Sequence, residues 1–535
     1  MARTRLLTAF QQLYRDFEEA ETLGKSVSAV QDDRRHAAPS RRDFFKISGA
    51  VAATVVLGRS APLVAGKRPR IVIVGGGIAG LNAALTLHDA GYGTTIYEAS
   101  NRIGGRMHSD AASWKNGQVT ERCGELIDST HKTILGLAKR FDIRVADLKH
   151  GEPPQSTDTF YFFGQYYSQS KANEEFNVVY KAVKKDLIAV GYPTLYNKFN
   201  SAAFKLDNVS VYDWIETRIP GGHRSAMGRL LDVASNLEYG AETTDQSSLN
   251  LIYLVGFLPA SATLGRSDEQ YRLAGGNERL PRAIAAALPA GSVKTATSLI
   301  SITKEIDGTY TLGLKHGVSR FTENADRVIL TVPFSILRNL DYHAAGFNNV
   351  KNTAIQQLGY GTNAKLHLQF NHRLWNKPGP WGISSGTSYS DGGYQGTWDV
   401  TRAQSGTTGI LVDYTGGNAG ASYGSDSSNT LDVHSYAVQF LNQLEIVFPG
   451  LRREWNGLAT LDAPARSPYI LGSYSYWKLG QYTSFAGAER ERSGKCHFAG
   501  EHCSIDFQGL MEGAAQEGAR AANEILSDYK AGVFP

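Results

Sequence analysis

Residues 70–80 read Arg-Ile-Val-Ile-Val-Gly-Gly-Gly-Ile-Ala-Gly, and one helix length later Thr94-Thr95-Ile96-Tyr97 closes on Glu98. A β-branched run thus enters Gly75-x-Gly77-x-x-Gly80, an Ala- and Leu-rich stretch continues it as a helix, and a second β-rich run ends on an acid. That order is a dinucleotide-binding βαβ unit. Gly75 permits the tight turn, Gly77 lets a pyrophosphate approach the backbone, and Gly80 lets the helix pack closely on the strand. The helix N-terminus at Ile78 and Ala79 faces the phosphates, and Glu98, followed by Ala99, accepts from a ribose hydroxyl.

The chain continues Ser100-Asn101-Arg102-Ile103-Gly104-Gly105-Arg106. Arg102 and Arg106 flank a Gly-Gly pair at Gly105, which sets cationic forks beside the same pyrophosphate. This segment resembles the flavin amine oxidase superfamily of monoamine, polyamine and L-amino acid oxidases. The resemblance implies FAD and an α/β fold in which a Rossmann-like, glutathione-reductase-type domain is interwoven with an α+β substrate domain.

A second match lies near the C-terminus. Cys496-His497-Phe498-Ala499-Gly500-Glu501 precedes Gly509-Leu510-Met511-Glu512-Gly513-Ala514. A strand ending on Glu501 and a helix opening at Gly509 and Leu510 again offer backbone N–H groups to a cofactor. In the resembling family this segment meets the pyrophosphate, ribityl chain and pyrimidine edge. Alternating strands over Leu299 to Ile302, Tyr310 to Leu314 and Val328 to Val332 resemble the family's return to the FAD domain, with the backbone at Leu299 meeting the adenine.

The implied organisation is a leader over 1–66, a discontinuous FAD-binding domain of 67–130, 270–332 and 490–535, and a substrate domain of 131–269 and 333–489. The substrate domain reads as mostly helical to about residue 270. Its Phe160-Tyr161-Phe162-Phe163 run is either core or pocket wall.

Bulk properties exclude several classes. The chain of 535 residues exceeds one simple core. Residues 1–66 hold ten Lys/Arg and seven Asp/Glu, so of the totals of 55 and 51 the remainder keeps 45 against 44. A nearly neutral body gives no electrostatic case for nucleic acid. Three cysteines form no disulfide framework, and Cys496-His497 with His502-Cys503 fits a flavin-contacting turn better than a metal quartet. No metal is expected.

Ser40-Arg41-Arg42-Asp43-Phe44-Phe45-Lys46 resembles the twin-arginine export motif, and the apolar segment from Ile47 to about Ala65 is too short and broken to span a bilayer stably. The twin-arginine machinery is therefore an expected partner and the destination is periplasmic or secreted; the sequence does not fix whether the leader is cleaved, with the neighbourhood of Ala65 a compatible place. Upstream, Leu6, Leu7, Phe10, Leu13, Tyr14 and Phe17 recur at helical spacing without an assignable role. Homodimer formation is left open.

For the chemistry, Tyr360-Gly361-Thr362-Asn363-Ala364-Lys365 resembles the strand whose lysine holds a water near flavin N5. Lys365 alternates with Leu366, Leu368 and Phe370, which puts it on the opposite strand face. Tyr474-Ser475-Tyr476-Trp477-Lys478-Leu479-Gly480 resembles the segment lying on the flavin, with Trp477 in the amine cage and Trp398 as a further pocket residue. No cysteine falls in it, so FAD is expected to be non-covalent. The family's venom-type L-amino acid oxidases grip the substrate carboxylate with an arginine; Ile127 stands at that place.

These features imply oxidation of an L-amino acid to a 2-oxo acid, ammonia and hydrogen peroxide, with O2 as acceptor. A primary-amine or polyamine oxidase is the alternative on the same scaffold, and a protein that binds FAD without turnover is the rival from another class. A nicotinamide-using monooxygenase is disfavoured by the single Gly-x-Gly-x-x-Gly.

Overall fold

The computed structural model describes residues 5–36, 69–256, 268–424 and 430–532. The twin-arginine motif and the apolar segment after it lie outside the described residues.

Strand β1 (Ile71–Val74) is the centre of a five-stranded parallel sheet. On one side lie β2 (Thr94–Tyr97) and Val293–Lys294; on the other lie Arg327–Leu330 and Cys496–Phe498. Parallel strands are covered on both faces, so the central ones read as nearly continuous apolar runs. β1 shows this directly: Ile71 and Ile73 enter one hydrophobic core, while Val72 and Val74 enter another on the opposite face. The first core is completed by the helices Ile78–Asp89 and Met511–Lys530, the second by an antiparallel three-stranded sheet over 297–325. The sequence predicts two of that sheet's strands and misses Ser319–Ala325, whose side chains are mostly exposed and carry no apolar alternation.

A seven-stranded sheet forms the second layer system. Its order is Trp455–Asp462, Ala364–Phe370, Gly409–Thr415, Gly396–Asp399, Ser384–Ser390, Thr157–Phe162 and Gln165–Tyr167. Phe160 and Phe162 are buried in the helical core and Phe163 is exposed, so that aromatic run is strand and core rather than cavity wall.

Residues before the export motif belong to this body. Helix α1 (Arg5–Leu23) and helix α2 (Val27–His36) are ordered elements, and Leu6, Leu7, Phe10, Leu13 and Tyr14 are buried in the same core as Phe176, Tyr180 and Leu254. The helical spacing read within the leader expected over 1–66 is the stripe by which α1 packs on the fold.

Candidate active site

One large cavity of about 780 Å³ runs between the two sheets. At one end it meets the glycine turn. Gly75 has φ of +110°, and a Cβ there would lie 2.3 Å from Thr331 Oγ1, so only glycine fits. Gly80 packs behind the turn instead of lining the cavity: its Cβ would stand 2.0 Å from the Gly75 carbonyl oxygen. Gly77, Ile78 and Ala79 line the cavity, as do Ala99 and Leu299. Glu98 also lines it, and its carboxylate is already oriented. Oε2 accepts from Gly76 N at 2.7 Å, and Oε1 accepts from Ser100 N at 2.8 Å and Ser100 Oγ at 2.7 Å.

The middle of the cavity is built from both ends of the chain. Gly104 N donates to Gly76 O at 2.9 Å, which ties the loop holding Arg102, Gly105 and Arg106 to the glycine turn. The Arg102 fork donates to the Ile103 and Gly105 carbonyl oxygens. Arg106 pairs with Glu501 at 2.9 Å and donates to Ser473 O at 2.9 Å. Glu501 further accepts from Ser475 Oγ at 2.7 Å and Gly509 N at 2.8 Å. Burial works to raise the Glu501 pKa, but Arg106 and the donated hydrogen bonds outweigh it and hold the carboxyl below the usual range. Both arginines thus line the cavity, with part of each fork committed to the protein.

The far end lies on the seven-stranded sheet. On Ala364–Phe370, Leu366, Leu368 and Phe370 enter a core while Lys365 faces the cavity, as the alternation predicts. Lys365 pairs across the sheet with Tyr414 on one side and Asp462 on the other, so the three side chains form a row on one face. Lys365 is buried. Its Nζ donates to Glu125 Oε2 at 2.7 Å and to Glu121 O at 3.1 Å. An ammonium has three donors, so a third remains for a water or ligand. Trp398 Nε1 donates to Glu125 Oε1 at 3.3 Å, and its ring lies edge-on to Tyr414 at 5.1 Å. Tyr414 and Tyr474 share a hydroxyl–hydroxyl bond of 2.8 Å. Burial pushes Asp462 up to about 6 even though Arg122 pairs with it at 3.0 Å. Burial likewise pushes Glu121 up to about 7.

Two expectations need correction. Trp477 does not line this cavity. It packs on Tyr482 and Phe485, with ring centroids 5.0 and 5.6 Å away, and lines a separate hollow of about 70 Å³. The residue of that segment facing the large cavity is Tyr474. Ile127 is fully buried in the core beside the parallel sheet, so its place could not present a side chain to substrate; Glu125, Leu126 and Asp128 line the cavity instead. Glu125, Arg122, Tyr414 and Asp462 were not singled out from the sequence. Glu125 shares its segment with Glu121, Arg122 and Asp128, so nothing in the local sequence sets it apart.

FAD fits this arrangement. The glycine turn and helix N-terminus suit a pyrophosphate, the oriented carboxylate of Glu98 suits a ribose, and the elongated cavity leads to an aromatic and charged end.

Comparison with known proteins agrees. Residues 78–526 match the flavin containing amine oxidoreductase model. Residues 38–58 match the twin-arginine translocation pathway signal, which addresses the chain to export with a periplasmic or secreted destination. Among the described residues no helix is long and apolar enough to cross a membrane. An L-amino-acid oxidase of Mus musculus is 25% identical over 489 residues, covering 86% of this chain and 71% of its own. A putative L-amino-acid oxidase of Bacillus subtilis is 25% identical over 493 residues, covering 86% and 96%. The solved cyclohexylamine oxidase of Brevibacterium oxydans superposes with a TM-score of 0.74 at 20% identity, covering 87% of this chain and 100% of that one. The chain belongs to the flavin containing amine oxidoreductase family, and FAD is its cofactor.

Proposed function

We propose that this protein is an oxidase acting on the carbon that bears an amino group, with L-amino acids as its substrate class and oxygen as the acceptor. FAD held non-covalently would accept the hydride. Glu98, Arg102, Arg106, Leu299 and Glu501 would hold and orient it, with the backbone of Gly77, Ile78, Gly509 and Leu510. The observation carrying the reading is the row of Tyr414, Lys365 and Asp462, backed by Glu125 and Trp398, in the part of the cavity wall that the seven-stranded sheet supplies. Tyr414, Tyr474 and Trp398 supply an aromatic wall whose exclusion of water would favour the neutral amine. Lys365, pinned by Glu125, would hold a water near flavin N5 and assist oxygen chemistry at the reduced flavin. The names of the curated relatives support the amino acid.

The alternative, an amine or polyamine without a carboxylate, is favoured by one feature. Each guanidinium lining the cavity among the described residues is engaged: Arg102 by carbonyls, Arg106 by Glu501, Arg122 by Asp110 and Asp462. Peroxide release by the FAD-loaded protein, with L-amino acids, D-amino acids, monoamines and polyamines side by side, tests both. Turnover confined to L-amino acids supports the first reading; turnover of amines lacking a carboxylate transfers the case to the second. Flavin that stays oxidised under anaerobic exposure to every substrate would refute both.

A further inference from the structure

The placement of α1 and α2 conflicts with a leader that simply departs. Both helices precede the export signal over 38–58, yet α1 is built into the helical core. Phe10 stacks on Phe176 at 5.0 Å, Tyr14 meets Tyr180 edge-on at 4.9 Å, and Phe17 stacks on Tyr180 at 5.1 Å. Leu6 and Leu7 are 1% and 0% exposed. Polar contacts fasten the same helix. Leu6 N donates to Tyr389 Oη at 3.0 Å, Gln11 Nε2 to Leu254 O at 2.6 Å, and Lys184 pairs with Glu21 at 2.6 Å. Helix α2 folds back on α1 through Arg34, which pairs with Glu19 at 3.0 Å and also with Asp16.

Most of a helix's stability in a protein comes from packing its apolar face, and undocked, the aromatic stripe of α1 would be exposed. Removing it would equally uncover Phe176, Tyr180 and Tyr389, which belong to the core of the body. Neither surface is suited to solvent. The twin-arginine route carries folded proteins, so α1 docks before transit.

We infer that residues 5–36 are a permanent part of the working enzyme. The export signal lies between two portions of one folded body, and the helix pair stays docked after export whether or not the connecting residues are cut. If they are cut, the mature protein is two polypeptides held together by the α1 stripe. The inference is independent of which amine is oxidised.

The test uses the full chain with a site-specific protease sequence inserted between His36 and Arg70. After cleavage under native conditions, the N-terminal piece is expected to co-elute with the yellow body on gel filtration. It should separate only in denaturant, as read by mass spectrometry. Phe10→Asp combined with Tyr14→Asp is expected to release it without denaturant. A wild-type fragment that elutes apart from a still-folded, FAD-bound body would overturn the inference, whatever the variant does. The mass of protein exported from a bacterium with a twin-arginine system gives a second reading. A native mass that includes residues 5–36 agrees, and one starting downstream of the signal with no retained fragment refutes.

Discussion

Lys365 and Glu125 meet at 2.7 Å in the wall of the large cavity, both side chains almost wholly buried. Burial is the largest influence on Glu125 and works to neutralise it, but Lys365 and Arg272 hold its carboxyl below the ordinary range. The two charges therefore depend on each other. Breaking a buried pair from one side typically costs about 3–5 kcal/mol, because the survivor is left uncompensated. Lys365→Met is expected to lower stability on that scale in urea unfolding, and Lys365→Met with Glu125→Gln to recover much of it. Equal losses in the single and double variants would show that the pair is not coupled.

The same lysine has a kinetic signature. If it places a water for oxygen chemistry, Lys365→Met slows aerobic reoxidation of the reduced flavin more than its anaerobic reduction by substrate. Stopped-flow absorbance separates the two half-reactions. Equal slowing of both would sink the proposed role.

Glu98 is expected to govern cofactor affinity. Glu98→Gln replaces a charged acceptor, which takes Gly76 N and Ser100 N, with a neutral amide. Hydrogen bonds to charged groups contribute about 1.5–3 kcal/mol, so FAD should bind roughly ten-fold or more weakly. Titration of the apoprotein by flavin fluorescence measures it, and unchanged affinity would remove Glu98 from the ribose site.

Ile127→Arg separates the sequence reading from the structure. Were Ile127 merely a lost carboxylate clamp, the arginine would improve affinity for amino acids over amines. The side chain is instead 0% exposed in the core. An unpaired guanidinium there should cost on the order of several kcal/mol, so the melting temperature falls with no gain in selectivity.

Asp413, on the strand Gly409–Thr415, gives a pH prediction. Burial pushes its carboxyl up to about 7, while Tyr423 Oη donates to it at 3.1 Å and pulls the other way. Its folded pKa is thus above its unfolded value, so the folded state binds more protons between about 4 and 7. Stability should fall as pH rises through that window, by at most about 1.4 kcal/mol per pH unit from this group. Asp413→Asn should flatten that part of the stability profile, and an unaltered slope would refute it.

How much of this was legible in the sequence depended on range. The βαβ turn, the acid at Glu98 and the strand before Glu501 are local patterns with one structural solution each. Lys365 was legible because its neighbours alternate along seven strand residues. Trp477 was misplaced because the strand beside it, Ser475–Tyr476, has two residues and sets no countable period. Asp462 and Tyr414 became visible only through strand pairing, since each reaches Lys365 from a different part of the chain. The α1 stripe was legible as a helix, but its partners lie some 150–380 residues away.

The parallel sheet places residues 71–74 and 496–498 on either side of Arg327–Leu330, and Glu501 comes three residues after Phe498, the end of the last strand. A ribosome must therefore synthesise nearly the whole polypeptide before Arg106 can find Glu501. Truncated products carry the glycine turn but lack the acid, the Gly509 N–H and the closing helix. On the proposed placement of FAD, cofactor loading would require both ends of the polypeptide.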